Sequence, residues 1–205
     1  MLRLVIDSAS EACSVALFDD SALVDFRHEA IGRGHAERLV PLIAELKRGG
    51  RADAIAVGCG PGSFAGVRIG VAAARALALG WNVPVQGFST LALVAAGAAA
   101  ELAEAGGGLI VMEGGHGQWF VQPFASDLSP AAAMRSLLPD EAVELEDPLV
   151  IGNRAEAFVA RRGSGRALAA LPDARALAAL PAAALFADPS PIYGRAPDAK
   201  PMTAA

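Results

Sequence analysis

The run Gly60-Pro61-Gly62-Ser63-Phe64-Ala65-Gly66-Val67-Arg68-Ile69-Gly70 joins an apolar segment, Ala54 to Cys59, to a second that keeps helical spacing from Val67 to Trp81. A glycine-rich turn between a strand and a helix has three familiar chemical uses. A phosphate-binding P-loop needs a Lys followed by Ser or Thr, and this stretch has neither. A dinucleotide fingerprint needs an acidic residue about 20 positions on to hold a ribose, and none stands between Asp53 and Glu101. A hydrolase nucleophile elbow needs Gly two residues before and after its Ser, where Ser63 has Pro61 and Ala65. The conformational reading is that Gly60, Gly62 and Gly66 permit unusual backbone angles while Ser63 caps the helix. Along that helix Gly66, Gly70, Ala74 and Ala78 recur every fourth position, a smooth stripe on which another element can approach closely. The stripe either packs on this chain's own sheet or meets a partner. Arg68 and Arg75, seven residues apart on one helical face, are the only charges between Ala54 and Ala100.

Working outward, Leu2 to Asp7, Cys13 to Asp19 and Ala22 to His28 read as three strands joined by turns carrying Asp7-Ser8-Ala9-Ser10 and Asp19-Asp20-Ser21, an antiparallel meander. His35 to Arg48 reads as a helix that ends at Gly49-Gly50, with Pro41 bending it. Val83 to Gly87 is a strand, and Ser89 to Ala105 a helix with Ser89 or Thr90 as N-cap. The order is β-β-β-α-β-α-β-α. Gly106-Gly107-Gly108 breaks the composition, and Leu109 to Glu113 and Trp119 to Phe124 read again as consecutive strands, an echo of the first half. Beyond Asp127 the pattern weakens to Ala-rich helical pieces near Asn153 to Arg162 and Ala174 to Ala187.

With 205 residues, 54% hydrophobic and 19% charged, and a mean hydropathy of +0.41, the chain has enough apolar surface to offset ordering entropy, which excludes disorder. Aromatics are only 5%, so the core is built from Leu, Val, Ile and Ala. A net charge of -5 gives no general attraction to phosphate backbones and disfavours unaided nucleic-acid binding. Cys13 and Cys59 form no C-x-x-C pair, no signal peptide is read at the start, and Asn82, Pro84, Gln86 and Gly87 interrupt the longest uncharged stretch; the expectation is a cytoplasmic protein with reduced thiols and no transmembrane segment. His28, His35 and His116 lack metal-ligand spacing, so no metal is expected. Arg161, Arg162 and Arg166 read as a solvated face. Asp7, ending the first strand before a Ser-rich turn, either holds a metal-phosphate group through water or accepts hydrogen bonds from its own turn.

Ile6-Asp7-Ser8-Ala9 with Glu11 to Leu17, Gly34-His35-Ala36-Glu37-Arg38-Leu39-Val40-Pro41, Gly60 to Gly70, Gly87-Phe88-Ser89-Thr90-Leu91 and Pro191-Ile192-Tyr193-Gly194-Arg195 resemble the TsaB (YeaZ) family over residues 1 to 94 and at the tail. Ala65 stands where Thr is common. The resemblance implies an α/β, actin-like and Hsp70-like duplicated fold of two lobes, each a mixed sheet flanked by helices, with residues 1–105 as the lobe carrying the partner helices and 106–205 as a smaller one. It implies a non-catalytic scaffold subunit of the machinery that forms N6-threonylcarbamoyladenosine beside the anticodon of tRNAs reading ANN codons. Its partners would be the catalytic relative TsaD, as a heterodimer, and the ATPase TsaE, with a homodimer through the same helices and tRNA met only through the complex. No cofactor is called for.

The catalytic relative carries H-x-x-x-H on the helix that begins here near Ser89, and no His stands between Gly87 and Ala100. On this reading the partner-binding set is Leu39, Ile43, Gly62, Ser63, Phe64, Val67, Arg68, Gly70, Val71, Ala74 and Arg75. Asp7, Ser8 and Gly60 are the candidate nucleotide-facing residues, because the fold class ordinarily binds ATP between its lobes. Glu113-Gly114-Gly115-His116 departs from the family's second-lobe opening, an acidic strand end followed by Ala-Arg. The rivals are a stand-alone peptidase-like hydrolase, which needs a nucleophile and base that three scattered histidines do not supply, and a nucleotide-binding sensor.

Overall fold

The computed structural model describes residues 1–194; Arg195, the end of the tail motif, lies outside the described residues. In chain order the elements are β1 (Leu2–Asp7), β2 (Ala12–Asp19), β3 (Ala22–Ala30), α1 (His35–Ala44), β4 (Ala54–Gly58), α2 (Phe64–Trp81), β5 (Val85–Phe88), α3 (Thr90–Gly97) and α4 (Ala99–Ala105). The second half follows with β6 (Gly107–Gly115), β7 (Gln118–Ala125), β8 (Arg135–Leu137), α5 (Pro139–Ala142), β9 (Leu149–Ile151), α6 (Ala155–Arg162) and β10 (Arg166–Leu168).

Two five-stranded sheets result, ordered β3-β2-β1-β4-β5 and β8-β7-β6-β9-β10. In each, an antiparallel meander is followed by parallel pairings: β1 with β4 and β4 with β5 in the first, β6 with β9 and β9 with β10 in the second. The same order and the same senses recur, so the fold is a duplication of one α/β unit.

The strands alternate between two apolar faces, as period-two geometry requires of sheets covered on both sides. Leu4, Ile6, Ile55 and Val57 turn to a core shared with α1 and α2, while Val5 and Ala56 turn to one shared with α3. Across α3, Ile110, Met112, Leu149 and Ile151 of the second sheet close that central core, and Leu109, Val111 and Val150 pack outward with Phe158 of α6. Residues Thr90 to Ala96 are all buried, which explains why this stretch is apolar on every side.

The helix expected over 35–48 stops at Ala44, because Leu46 is extended, with ψ of 155°, and Lys47–Gly50 form a separate short 3-10 turn in which Arg48 and Gly49 adopt left-handed backbone angles. The helix expected over 89–105 breaks at Ala98, whose φ of -115° is not helical. Ala174 to Ala187 is not one helix: 3-10 turns at Ala174–Ala179 and Ala182–Ala184 flank Pro181, which cannot donate to a helical ladder. The first of these turns lies on α3 and on β1 to β3, so the end of the described chain packs on the first sheet. By length and composition α2 is long and apolar enough to cross a membrane; its inner face lies on β1 and β4.

Candidate functional site: the α2 face and the cleft between the lobes

Ser63 caps α2, its side-chain oxygen accepting from the Gly66 amide at 3.3 Å. This makes α2 three residues longer than the apolar spacing alone indicates, and brings Phe64 onto it. Beneath it runs the turn after β1. The Ser63 amide donates to the Ala9 carbonyl at 2.6 Å, and the Ser8 hydroxyl donates to the Gly66 carbonyl at 2.9 Å. A Cβ added at Gly62 would meet the Ala9 carbonyl, one at Gly66 the Ser8 carbonyl, and one at Gly70 the Ser8 hydroxyl. The glycines of the motif are there because the 7–10 turn passes directly under the helix.

That arrangement bears on two sets of expectations. Leu39, Ile43, Val67, Gly70, Val71 and Ala74 are buried in this chain's own core, so the small-residue stripe faces its own sheet and offers a partner no surface. Asp7 and Ser8 are each 1% exposed and Gly60 is buried; none of the three lines the cleft. The Asp7 carboxylate is occupied internally, accepting from the Ala9 amide at 3.0 Å and the Thr90 hydroxyl at 2.9 Å. Burial pushes its pKa up to about 6, with those two donors pulling the other way.

What α2 shows to solvent is its other side. Phe64 is 68% and Leu79 85% exposed, and Val40 on neighbouring α1 is 57% exposed. Ala65, Ala72 and Ala76 are exposed between them, flanked by Arg68 and Arg75. Of the sequence-derived partner set, Ser63, Phe64 and Arg75 are on this exposed side, Arg68 is at its edge, and Gly62 is half-buried in the wall of the cleft described next. Val40 and Leu79 were missed; Leu79 carried a signal, since it falls opposite the buried Gly66-Gly70-Ala74 stripe, whereas Val40 borders the buried Leu39 and Ile43 face and carried none.

Between the lobes lies a cleft of about 1050 Å³, bounded by the 9–11 turn, Pro61 to Phe64, the Glu113–His116 turn, Asn153-Arg154 and Ile192 to Gly194. Asn153 spans it, accepting from the Glu113 amide at 2.9 Å and donating to Glu11 at 3.3 Å. The two arginines that line it are both engaged: Arg154 pairs with Glu113, and Arg68 lies 3.1 Å over the Phe64 ring while donating to the Tyr193 hydroxyl at 2.7 Å. Asp7 is thus sealed off, the Ser63 and Gly66 amides serve internal bonds, and both guanidinium groups have partners within the chain.

Topology and site together define a two-lobed protein of the duplicated actin-like class, with its exposed apolar surface on the helix after β4. The family model described as "TsaD: tRNA N6-adenosine threonylcarbamoyltransferase" matches residues 28–156, more than half the chain. "tRNA threonylcarbamoyladenosine biosynthesis protein TsaB" of Escherichia coli is 46% identical over 103 residues, which are 48% of this chain and 44% of that one. The Haemophilus influenzae protein of the same name is 40% identical over 97 residues, 45% and 41% of the two chains. These matches thus span less than half the length of the curated relatives. A crystal structure from Pseudomonas aeruginosa, "an uncharacterized protein with similarity to peptidase YEAZ", superposes with a TM-score of 0.79 at 28% identity, covering 95% of this chain and 99% of that one; "YeaZ from Pseudomonas aeruginosa" gives 0.74 at 27%, covering 94% and 99%. The chain belongs to the family that the matching model describes, in its TsaB (YeaZ) branch.

Proposed function

We propose that this chain is a non-catalytic scaffold subunit in the formation of N6-threonylcarbamoyladenosine on tRNA, supporting a TsaD-type catalytic partner through the outer face of α2. The observation that carries this reading is the exposure of Phe64 and Leu79 at the two ends of α2, whose inner face is already filled, and of Val40 on the neighbouring α1, with Arg68 and Arg75 on α2 between them. Ser63, Phe64, Arg68 and Arg75 remain as contacts from the original set, with Val40 and Leu79 added and the buried residues serving only to hold α1 and α2 in place. The names of the curated relatives supply the pathway. The absence of His from Gly87 to Ala100, where the catalytic relative carries its metal ligands, supports a non-catalytic role.

In this reading TsaE joins the assembly, tRNA is met only through it, a homodimer uses the same face when the catalytic partner is missing, and the work is done in the cytoplasm. Residues 1–105 then carry the interface and 106–205 open the smaller lobe, of which 174–192 returns to pack on the first sheet. A peptidase-like hydrolase gains no support from the cleft, whose one histidine, His116, has neither cysteine nor second histidine beside it there.

The test is co-expression of the tagged full chain with the TsaD-type protein of the same cell, followed by capture. Recovery of the partner with the wild type and its loss with Leu79→Glu, at an unchanged melting temperature, is the expected result, since a buried unpaired charge is poorly tolerated at an interface core. Capture that survives Leu79→Glu and Phe64→Asp alike would move the interface elsewhere. Peptide hydrolysis by the chain alone would favour the enzyme reading.

A further inference from the structure

The segment from Phe186 to Gly194 lies outside every regular element, yet it is fastened at both ends and in the middle. At its start Phe186 pairs with Gly87 on the free edge of β5, each amide donating to the other's carbonyl, at 2.8 and 2.9 Å. Midway, Arg75 reaches Asp188 and Ser190, both at 3.4 Å. Further on, the Ile192 amide donates to the Cys59 carbonyl at 2.7 Å, so the segment crosses over the loop that opens α2. It ends on the second lobe, where a Cβ at Gly194 would run into the Phe120 ring.

We propose that Phe186–Gly194 is a strap that couples the outer edge of α2 to the closure of the cleft, with Tyr193 as its catch. Three of its residues, Ile192, Tyr193 and Gly194, are themselves cleft wall. The catch is the contact of Tyr193 with Arg68: the guanidinium donates to the phenol oxygen at 2.7 Å and lies 5.0 Å from the ring centroid, with Phe64 tilted beside it at 6.1 Å. The two ends are unequal. Phe186 is held by a pair of backbone bonds on a sheet edge, whereas Tyr193, 54% exposed, is held by side-chain contacts to a solvent-facing helix. Release therefore starts at Tyr193, frees Gly194 from Phe120 and removes the strap's part of the wall. Whatever engages Arg68 from outside is felt between the lobes.

The chain has a single tyrosine, so 3-fluorotyrosine incorporated into the full-length protein gives one fluorine resonance that reports the catch directly. Arg68→Gln is expected to move that resonance toward the position of the free amino acid. It should also raise amide exchange at Ile192 and across the Glu113–His116 turn two- to fivefold, the population change of about one net hydrogen bond, without lowering the melting temperature. From the other end, Gly194→Val is expected to displace the resonance with Arg68 intact. A resonance unmoved by Arg68→Gln would show that Tyr193 is not the catch. A moved resonance with unchanged exchange in the 113–116 turn would show fastening without coupling, and either result overturns the proposal.

Discussion

Replacing Asp7 by Asn tests the claim that the end of β1 is structural. The carboxylate is fully buried, and it faces two donors and no cation. Its pKa rises from 3.8 to about 6 on folding, which at 1.36 kcal/mol per unit is a penalty of about 3 kcal/mol. The sign follows from linkage: well below the unfolded value of 3.8, under about pH 3, the group is protonated in both states and nothing is lost, but as pH climbs the unfolded chain ionises first, so stability drains away until the folded group ionises near pH 6. Asparagine carries no charge, keeps an oxygen for the Ala9 amide and can donate its NH2 to the Thr90 hydroxyl. Asp7→Asn should therefore be more stable than wild type at pH 7, by up to about 3 kcal/mol or roughly 6–12 °C in melting temperature for a chain of this size, with the difference narrowing toward pH 4 and closing by about pH 3. Urea unfolding of both proteins across that range is the assay. Carboxylates such as Glu29, held low mainly by its hydrogen bond from Arg38, titrate equally in both proteins and cancel. A variant less stable at pH 7, or a gap that does not narrow toward pH 4, would refute the reasoning.

Three further outcomes follow from the packing. Gly70→Leu would place a branched side chain against the Ser8 hydroxyl, with Val57 and Ile6 behind it, and should lower the melting temperature by well over the few degrees that about 1–3 kcal/mol of overpacking implies, whatever it does to partner capture. Ser14→Ala should cost about 1–3 kcal/mol, because it strands the buried Ala174 amide that donates to Ser14 at 2.9 Å and so loosens the first 3-10 turn of the tail; chemical unfolding reads this directly. Burial pushes the thiols of Cys13 and Cys59 up to about 11 and 12, so neither should react with a thiol reagent at pH 8 until the chain unfolds.

The first half of the fold was legible because its signals are local. The period-two runs of β1 and β2 and the Ser63 cap with its following helix translate into structure within a residue or three. The orientation of α2 was harder to read, because its two sides differ little in hydropathy. Glycine at 66 and 70 suits a partner helix as well as a tight turn beneath, and only the position of Ser8 and Ala9 in space decides between them. At Asp7 two readings stayed open for a related reason: a carboxylate at a strand end looks the same in sequence whether it faces a ligand or its own turn and a buried threonine 83 residues away. The tail escaped because its fastenings, Phe186 on Gly87 and Tyr193 on Arg68, are long-range pairings with no periodicity to announce them.

That the last described residues close the first sheet has a consequence for how the protein is made. While the chain emerges from a ribosome, β1 to β5 can pair as soon as Phe88 is out. The free edge of β5 and the surface of α3 then wait for roughly a hundred more residues, or roughly 5–20 s at ordinary synthesis rates, before 174–192 arrive to cover them. During that interval the nascent chain presents a bare strand edge beside an Ala- and Leu-rich helix, the combination that recruits other strands. A chain stopped after β10 would carry both complete sheets and still lack the cover for its own first half.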